Sequence, residues 1–463
     1  MGRMERDGFR SRQVDHRKFD QRSNRLVSWV VLVGIFLPPI QFDVAGLIWT
    51  PGRLVTILFL ALAVWAIAQR GRFYVSDFLV LLVSIWSVGS VIINGGFRPY
   101  VLVEALELLS GYLIGRAFFN SRPKLEQFIR VLKIVSIVLI LLALLDTFSG
   151  RRFTAEAVAH VFNVPFDIEE TQFRNGLVRA TSTFPVSELY GTFCAAAASI
   201  FLYSERTTIG KMLYGGLCIF GCFLSVSSGP ILALLIVLGT YFYGLLTRRY
   251  AWRWKALRNS LIGLLLIIFL GDSLVLGNDA VHPILWIVRN FTFDPWTGYF
   301  RVEEWRHAMV FINDNPLLGI GFNPIRDQND IFLHSLDSLY LVIAWRFGIP
   351  AAILLILAII ASITGLGLED TNSRDSYMLD LRTGFILVVA SIATVALTVH
   401  FWDSTWIFWS ICMGISASFK EYAYSSRPRI SARLAAPRRT PHAKISGPPW
   451  PPPSFPVVDL GPR

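Results

Sequence analysis

Cysteine is scarce in this chain, at four in 463 residues, and charged side chains make up only 16%. Each scarcity excludes something. Cys194, Cys218, Cys222 and Cys412 all fall inside apolar runs. Cys218 and Cys222 share a helical face at i, i+4, with no histidine or second pair nearby. They read as small buried apolar residues, not as a metal site or a disulfide framework. Soluble domains carry about 25% charged residues, so the low charge content excludes a string of soluble domains, although the length would allow about three. In place of charge there is apolar sequence, at 54% hydrophobic residues and a mean hydropathy of +0.52. The net charge of +11 would suit nucleic acid if it were gathered in one patch. It is not, so no nucleic-acid partner is expected.

A helix crosses the hydrocarbon core with about 20 mainly apolar residues. Such runs recur near residues 25–42, 54–69, 76–94, 100–117, 129–148, 185–203, 211–227, 230–246, 260–277, 338–365, 383–399 and 403–419. The pattern predicts an all-α polytopic membrane protein with about twelve spanning helices. Its parts are a basic arm at 1–24, one transmembrane domain at 25–420 and a disordered, basic, Pro-rich tail at 421–463 that lies near anionic lipid. Pro38-Pro39 bends the outer end of the first run. The run after Ser338 is too long for one straight helix, and Gly348-Ile349-Pro350 is expected to divide it. The arm is too long for the basic region of a secretory signal, and no A-x-A-like site follows the first apolar run, so it reads as a retained anchor.

Orientation follows from lysine and arginine in alternate loops. With the N-terminus cytoplasmic, 32 of the 43 fall inside, which puts both termini in the cytoplasm. The other 11 are Arg53, Arg98, Arg151, Arg152, Arg174, Arg179, Arg289, Arg301, Arg306, Arg326 and Arg346, with no lysine among them. Arginine without lysine suits planar, bidentate recognition of phosphate.

Two outer loops, 148–184 and 278–336, exceed connector length and are expected to carry function. The second, between spans nine and ten, is rich in aromatics, among them Trp286, Trp296, Tyr299 and Trp305. Those rings suit the membrane interface and sugar rings alike. From Tyr299 to His307 the chain can be helical, with Arg301 and Trp305 on one face. Further on, a helix beginning near Ser335 would put Asp337 in its first turn, directly after His334. Ser335 or Asp337 could also simply cap it. Within the spans, Glu104, Glu107 and Glu188 lie toward the outer side. They are functional candidates, or else partners for the outer arginines that hold the bundle together.

The order Arg301-x-x-x-Trp305, Asn315-Pro316-Leu317-Leu318-Gly319-Ile320-Gly321-Phe322, His334-Ser335-x-x-Ser338-x-Tyr340-Leu341 and Gly348 resembles the O-antigen ligase and Wzy-type polysaccharide polymerase superfamily. Upstream, Arg179-Ala180-Thr181-Ser182-Thr183-Phe184-Pro185 is similar to the family's approach to a span. The chain departs from the family at Ser227-Ser228-Gly229-Pro230, where Ser-Arg-Gly is usual, and at Ser335, where asparagine is usual.

The resemblance implies a bacterial inner-membrane glycosyltransferase with its site facing the periplasm. Its donor would be an oligosaccharide on undecaprenyl pyrophosphate. The acceptor would be another lipid-linked repeat for a polymerase of exopolysaccharide or O-antigen, or a lipid A core sugar for a ligase. The polymerase is the preferred reading. The resemblance implies Arg301 against the pyrophosphate, His334 as base or acceptor-orienting group and Asp337 tuning it. Arg179, Arg174, Arg326, Trp305, Glu104 and Glu107 would contact pyrophosphate or glycan. No Asp-x-Asp motif occurs, and no metal or cofactor is expected. Membrane lipid, a chain-length regulator and glycan export proteins are the implied partners. A flippase or secondary transporter is the competing class; it should show repeated halves, and none are found.

Overall fold

The computed structural model describes residues 25–38, 40–44, 47–95, 99–162, 172–174, 176–247, 250, 256–257, 259–261, 263–264, 295–322, 336–364 and 375–425. The described chain is a helical bundle. Its helices are α1 (Arg25–Phe36), α2 (Pro51–Arg70), α3 (Val75–Gly95), α4 (Pro99–Phe118), α5 (Arg122–Ser149), α6 (Phe153–Phe162), α7 (Ser187–Ser204) and α8 (Thr208–Leu224, with a π turn at Lys211–Gly215). There follow α9 (Ser228–Leu246), α10 (Pro295–Asp314), α11 (Leu339–Phe347), α12 (Ile349–Ile363), α13 (Ser376–Val395) and α14 (Asp403–Ser425).

Among the described residues five helices, α2, α3, α5, α9 and α13, are long and apolar enough to cross a membrane. The other expected spans are shorter or more polar. The first run stops at Phe36 because the proline ring at 38 cannot continue a helix. α4 has the length, but it carries Glu104, Glu107 and Arg116. The run expected near 260–277 lies largely outside the described residues. Two short antiparallel hairpins depart from an all-α reading: β1 (Phe42–Val44) pairs with β2 (Leu47–Trp49), and β3 (Phe173–Arg174) with β4 (Leu177–Val178). Both lie in stretches between helices, where the backbone must find its partners locally.

α7 is the hub. It is buried nearly all round, with Ala195, Ala196, Ala197 and Ala198 fully enclosed, as expected of a helix at the centre of a bundle. α4 and α14 approach backbone to backbone. A Cβ on Gly115 would lie 2.2 Å from the Ile411 carbonyl oxygen, and one on Gly414 2.0 Å from that of Tyr112. Small residues allow this closeness, which is a source of helix association where lipid removes the hydrophobic drive.

The bundle has two polar ends. At one meet Arg53 and Glu107, Thr50 and Asp403 (2.7 Å), and the loop residues Leu318 and Gly319, whose carbonyls accept from Asn94 (2.9 Å each). At the other, Arg116 pairs with Glu421 (2.7 Å) and Arg122 with Asp375 (3.0 Å). The first is termed the loop end.

The expected break at Gly348 is present, separating α11 from α12. Gly348 has φ +89°, and a Cβ there would sit 2.0 Å from the Leu317 carbonyl oxygen. The Gly319-Ile320-Gly321 turn docks on this break: Ile320 N–H donates to Trp345 O and Gly321 N–H to Arg346 O (both 2.9 Å), and Ile349 N–H donates to Pro316 O (2.8 Å). Gly348→Ala is therefore expected to destabilise the protein by at least about 3 kcal/mol, from strain and clash together. Thermal unfolding in detergent beside wild type measures this, and an unchanged midpoint would show that the turn yields.

Candidate functional site

α10 is the element that builds the site. Arg301, Glu304 and Trp305 share one face at i, i+3, i+4. Glu304 is fully buried, and its carboxylate does three things. It pairs with Arg301 Nη1 (3.2 Å), accepts from the Asp337 backbone N–H, and lies 3.4 Å from the Ser338 N–H. Arg301 Nη1 also pairs with Asp337. Trp305 Nε1–H donates to Leu397 O (3.1 Å), just past the end of α13. Leu339 N–H donates to Ala396 O (3.0 Å) and the Tyr340 hydroxyl to Ala393 O (3.0 Å), so α11 is tied to the same end of α13.

The arginine helix and the start of α11 are thus clamped together through buried acid. α11 begins at Leu339 with Ser338 as its N-cap, later than the sequence suggests. Asp337 therefore lies before the cap, not in the first turn. His334 and Arg326 both fall in the stretch 323–335, outside the described residues.

Burial pushes the Glu304 carboxyl above its ordinary 4.5, while the Arg301 charge and hydrogen bond pull it back. A raised carboxyl holds its proton more tightly folded than unfolded. Its contribution to stability is therefore complete below pH 4.5 and is lost as pH rises through the raised value. Arg301→Gln should move that loss to still higher pH. Infrared titration of the protonated carboxyl stretch, with Glu304→Gln as the blank, reads it; a downward move would contradict the geometry.

A second cluster surrounds Arg179. Its guanidinium pairs with Glu188 and donates to Gln172 Oε1 (2.5 Å). Arg152 donates to Pro185 O (2.6 Å) and lines the same recess with Arg179, Thr181 and Ser187. That recess measures about 10 Å³, room for about one water. Buried Asp146, near the end of α5, organises the cluster by accepting from the backbone N–H groups of Thr154 (3.1 Å), Thr181 (3.2 Å) and Ser182 (2.8 Å). One carboxylate thereby joins α5, α6 and the Arg179–Pro185 approach to α7. Arg174, on β3, donates to Val226 O (3.3 Å).

The remaining candidates sit in ion pairs at the loop end. Glu107 is buried against Arg53 Nε (2.5 Å). Half-buried Glu104 lies 3.8 Å from Arg346, whose guanidinium covers the Phe322 ring at 4.7 Å. Arg346 is thus drawn inward to a partner. All three span carboxylates of the sequence reading, Glu104, Glu107 and Glu188, face arginines.

Glu304, Asp146 and His400 escape the sequence reading. A signal existed for two of them: Asp146 is a lone carboxylate in an apolar run, and Glu304 stands three residues after Arg301. His400, which stacks on Trp402 at 5.6 Å, gives no sequence signal. Burial, with Arg346 adding to it, pushes its imidazole down to about 3. Such a group is neutral at working pH and too weakly basic to take a hydroxyl proton efficiently.

The bundle, its lipid-length helices and its ion-paired arginines define a helical membrane protein with a polar site at one end. A family model described as O-antigen ligase matches residues 213–356. That stretch runs from α8 into α12 and contains Arg301, Trp305, His334, Asp337 and Gly348. The match supports the O-antigen ligase and Wzy-type superfamily that the motifs resemble. No curated protein matches the chain.

Proposed function

We propose that this chain polymerises undecaprenyl-pyrophosphate-linked oligosaccharide repeats at the periplasmic face of the bacterial inner membrane. On this reading it spans the bilayer about twelve times with both termini cytoplasmic, and the loop end faces the periplasm. The observation that carries the proposal is the Arg301–Glu304–Asp337 clamp. It fixes a guanidinium to the chain segment three residues beyond His334.

Both carboxylates meet Arg301 at Nη1, and a guanidinium has five N–H donors. Among the described residues no carboxylate is paired with Nε or Nη2, which are the donors offered to an anionic phosphate, with Arg301 about one-fifth exposed. In the reaction the acceptor hydroxyl attacks the anomeric carbon and gives its proton to His334. The anomeric C–O bond to pyrophosphate breaks, and undecaprenyl pyrophosphate leaves with the electron pair. Arg301 stabilises the charge that gathers on it. Arg179, Arg174 and Arg326 are the further phosphate contacts, Trp305 presents a ring to glycan, and Glu104 and Glu107 order the loop end around it.

The description of the matched family favours a second reading, a ligase that passes the glycan to a lipid A core sugar. Acceptor identity separates the two. Purified protein given lipid-linked repeat alone is expected to extend it, and His334→Ala to slow extension by about 100-fold or more. Growth seen only when lipid A core is added would replace polymerase by ligase.

A further inference from the structure

A cavity lies at the opposite end of the bundle, away from the proposed glycan-transfer site. It measures about 500 Å³ and lies among the start of α5, the end of α7 and the start of α13. Four of its lining side chains are cations, Arg122, Arg130, Lys133 and Arg206, against two acids, Glu126 and Glu205. The acids are engaged: Glu126 with Arg122 (2.9 Å) and Glu205 with Lys133. Among the described residues Arg130 and Arg206 have no carboxylate partner. Arg206 is held instead over the Tyr377 ring at 4.6 Å, and Arg122 covers the same ring at 4.9 Å. This fixes one unneutralised guanidinium at the cavity wall and leaves a second beside it.

The cavity opens onto a surface made for hydrocarbon. Arg130 lies on the exposed face of α5, and that face continues at i+4, i+8 and i+11 through Ile134, Val138 and Leu141, which are 43%, 49% and 56% exposed. The cations of α5 extend from Arg122 to Lys133, about 16 Å along the helix axis at 1.5 Å per residue. A soluble anion needs neither a ladder of that length nor an apolar stripe below it. An amphiphile with a phosphate head uses both.

We infer that this cavity binds the phosphate headgroup of an acidic phospholipid, with Arg130 and Arg206 on the phosphate and an acyl chain along Ile134, Val138 and Leu141. The positive-residue bias puts this end at the cytoplasmic leaflet, where basic recesses between spans meet anionic lipid. The inference stands independently of the glycan-transfer reading.

Native mass spectrometry of the full-length protein in neutral detergent tests it. The probes are phosphatidylglycerol and phosphatidylcholine of identical acyl chains, with inorganic phosphate as competitor. Phosphatidylglycerol is expected to bind more tightly than phosphatidylcholine and to resist millimolar phosphate. Arg130→Gln with Arg206→Gln should weaken it by roughly 30-fold, the value of two interfacial cations, while the paired lysine substitutions retain most of the binding. Equal binding of the two lipids overturns the inference, as does an undiminished affinity in the double glutamine variant. Displacement by inorganic phosphate would mark a soluble-anion site and overturn it too. Should the glutamine variant not fold, the wild-type comparison of the two lipids still decides.

Discussion

Arg301→Ala is expected to lower glycan transfer by 100-fold or more while the protein still reaches the membrane. Removing a single preorganised donor from a developing negative charge costs about 10²–10³ in turnover in enzymes generally. Here the loss is compounded, because Arg301 also neutralises buried Glu304 and meets Asp337. Alanine leaves that buried carboxylate without its cation, which carries a stability penalty of its own. Arg301→Lys separates the two effects. Lysine keeps a positive charge beside Glu304 but offers no planar fork. It is therefore expected to hold the unfolding midpoint near wild type while turnover stays below about one-tenth. Turnover is measured with purified protein and lipid-linked repeat, and folding by thermal unfolding in the same detergent. Normal polymer from Arg301→Ala would remove Arg301 from the site.

Asp146→Ala is expected to cost about 4 kcal/mol and to lower transfer. Asp146 is buried and accepts three backbone N–H groups, from Thr154, Thr181 and Ser182, on two other segments. Each N–H left buried without an acceptor costs about 1–3 kcal/mol. The activity consequence passes through Arg179 and Arg152, which the Thr181–Pro185 and Thr154 regions hold around one recess. Asp146 is thus a positioning residue. Asp146→Asn keeps one accepting oxygen and should recover about half of the lost stability. If Arg179 orients donor, Asp146→Asn should raise the KM for lipid-linked repeat more than it lowers kcat. Equal changes in both variants at unchanged KM would leave Asp146 with stability alone.

The candidate site was legible in the sequence in part. The Arg301-x-x-x-Trp305 spacing is a statement about one helical face, and α10 has that face turned to α11 and to the end of α13. Gly348-Ile349-Pro350 signalled a break because proline lacks an N–H, and the break is there. The start of α11 was less legible. Ser335, Asp337 and Ser338 are all good caps in isolation, and the choice of Ser338 depends on Ala396 O and Glu304 reaching that segment from elsewhere in the chain. The clamp at Glu304 was hidden for the same reason, since its two backbone donors are 33 and 34 residues away.

By itself the sequence determined the solvent this protein lives in. Apolar runs of lipid length, arginine kept apart from lysine and a glycine-proline break are local properties, and hydrophobic burial and backbone hydrogen bonding act on them within a few residues. Only the tertiary structure decided which charge meets which. Arg53 with Glu107, Arg346 with Glu104, Arg179 with Glu188 and Arg301 with Asp337 are pairings between segments far apart or on separate elements. Charges in a poorly solvating interior need partners, and which partner each finds depends on how the helices pack, which no stretch of sequence contains.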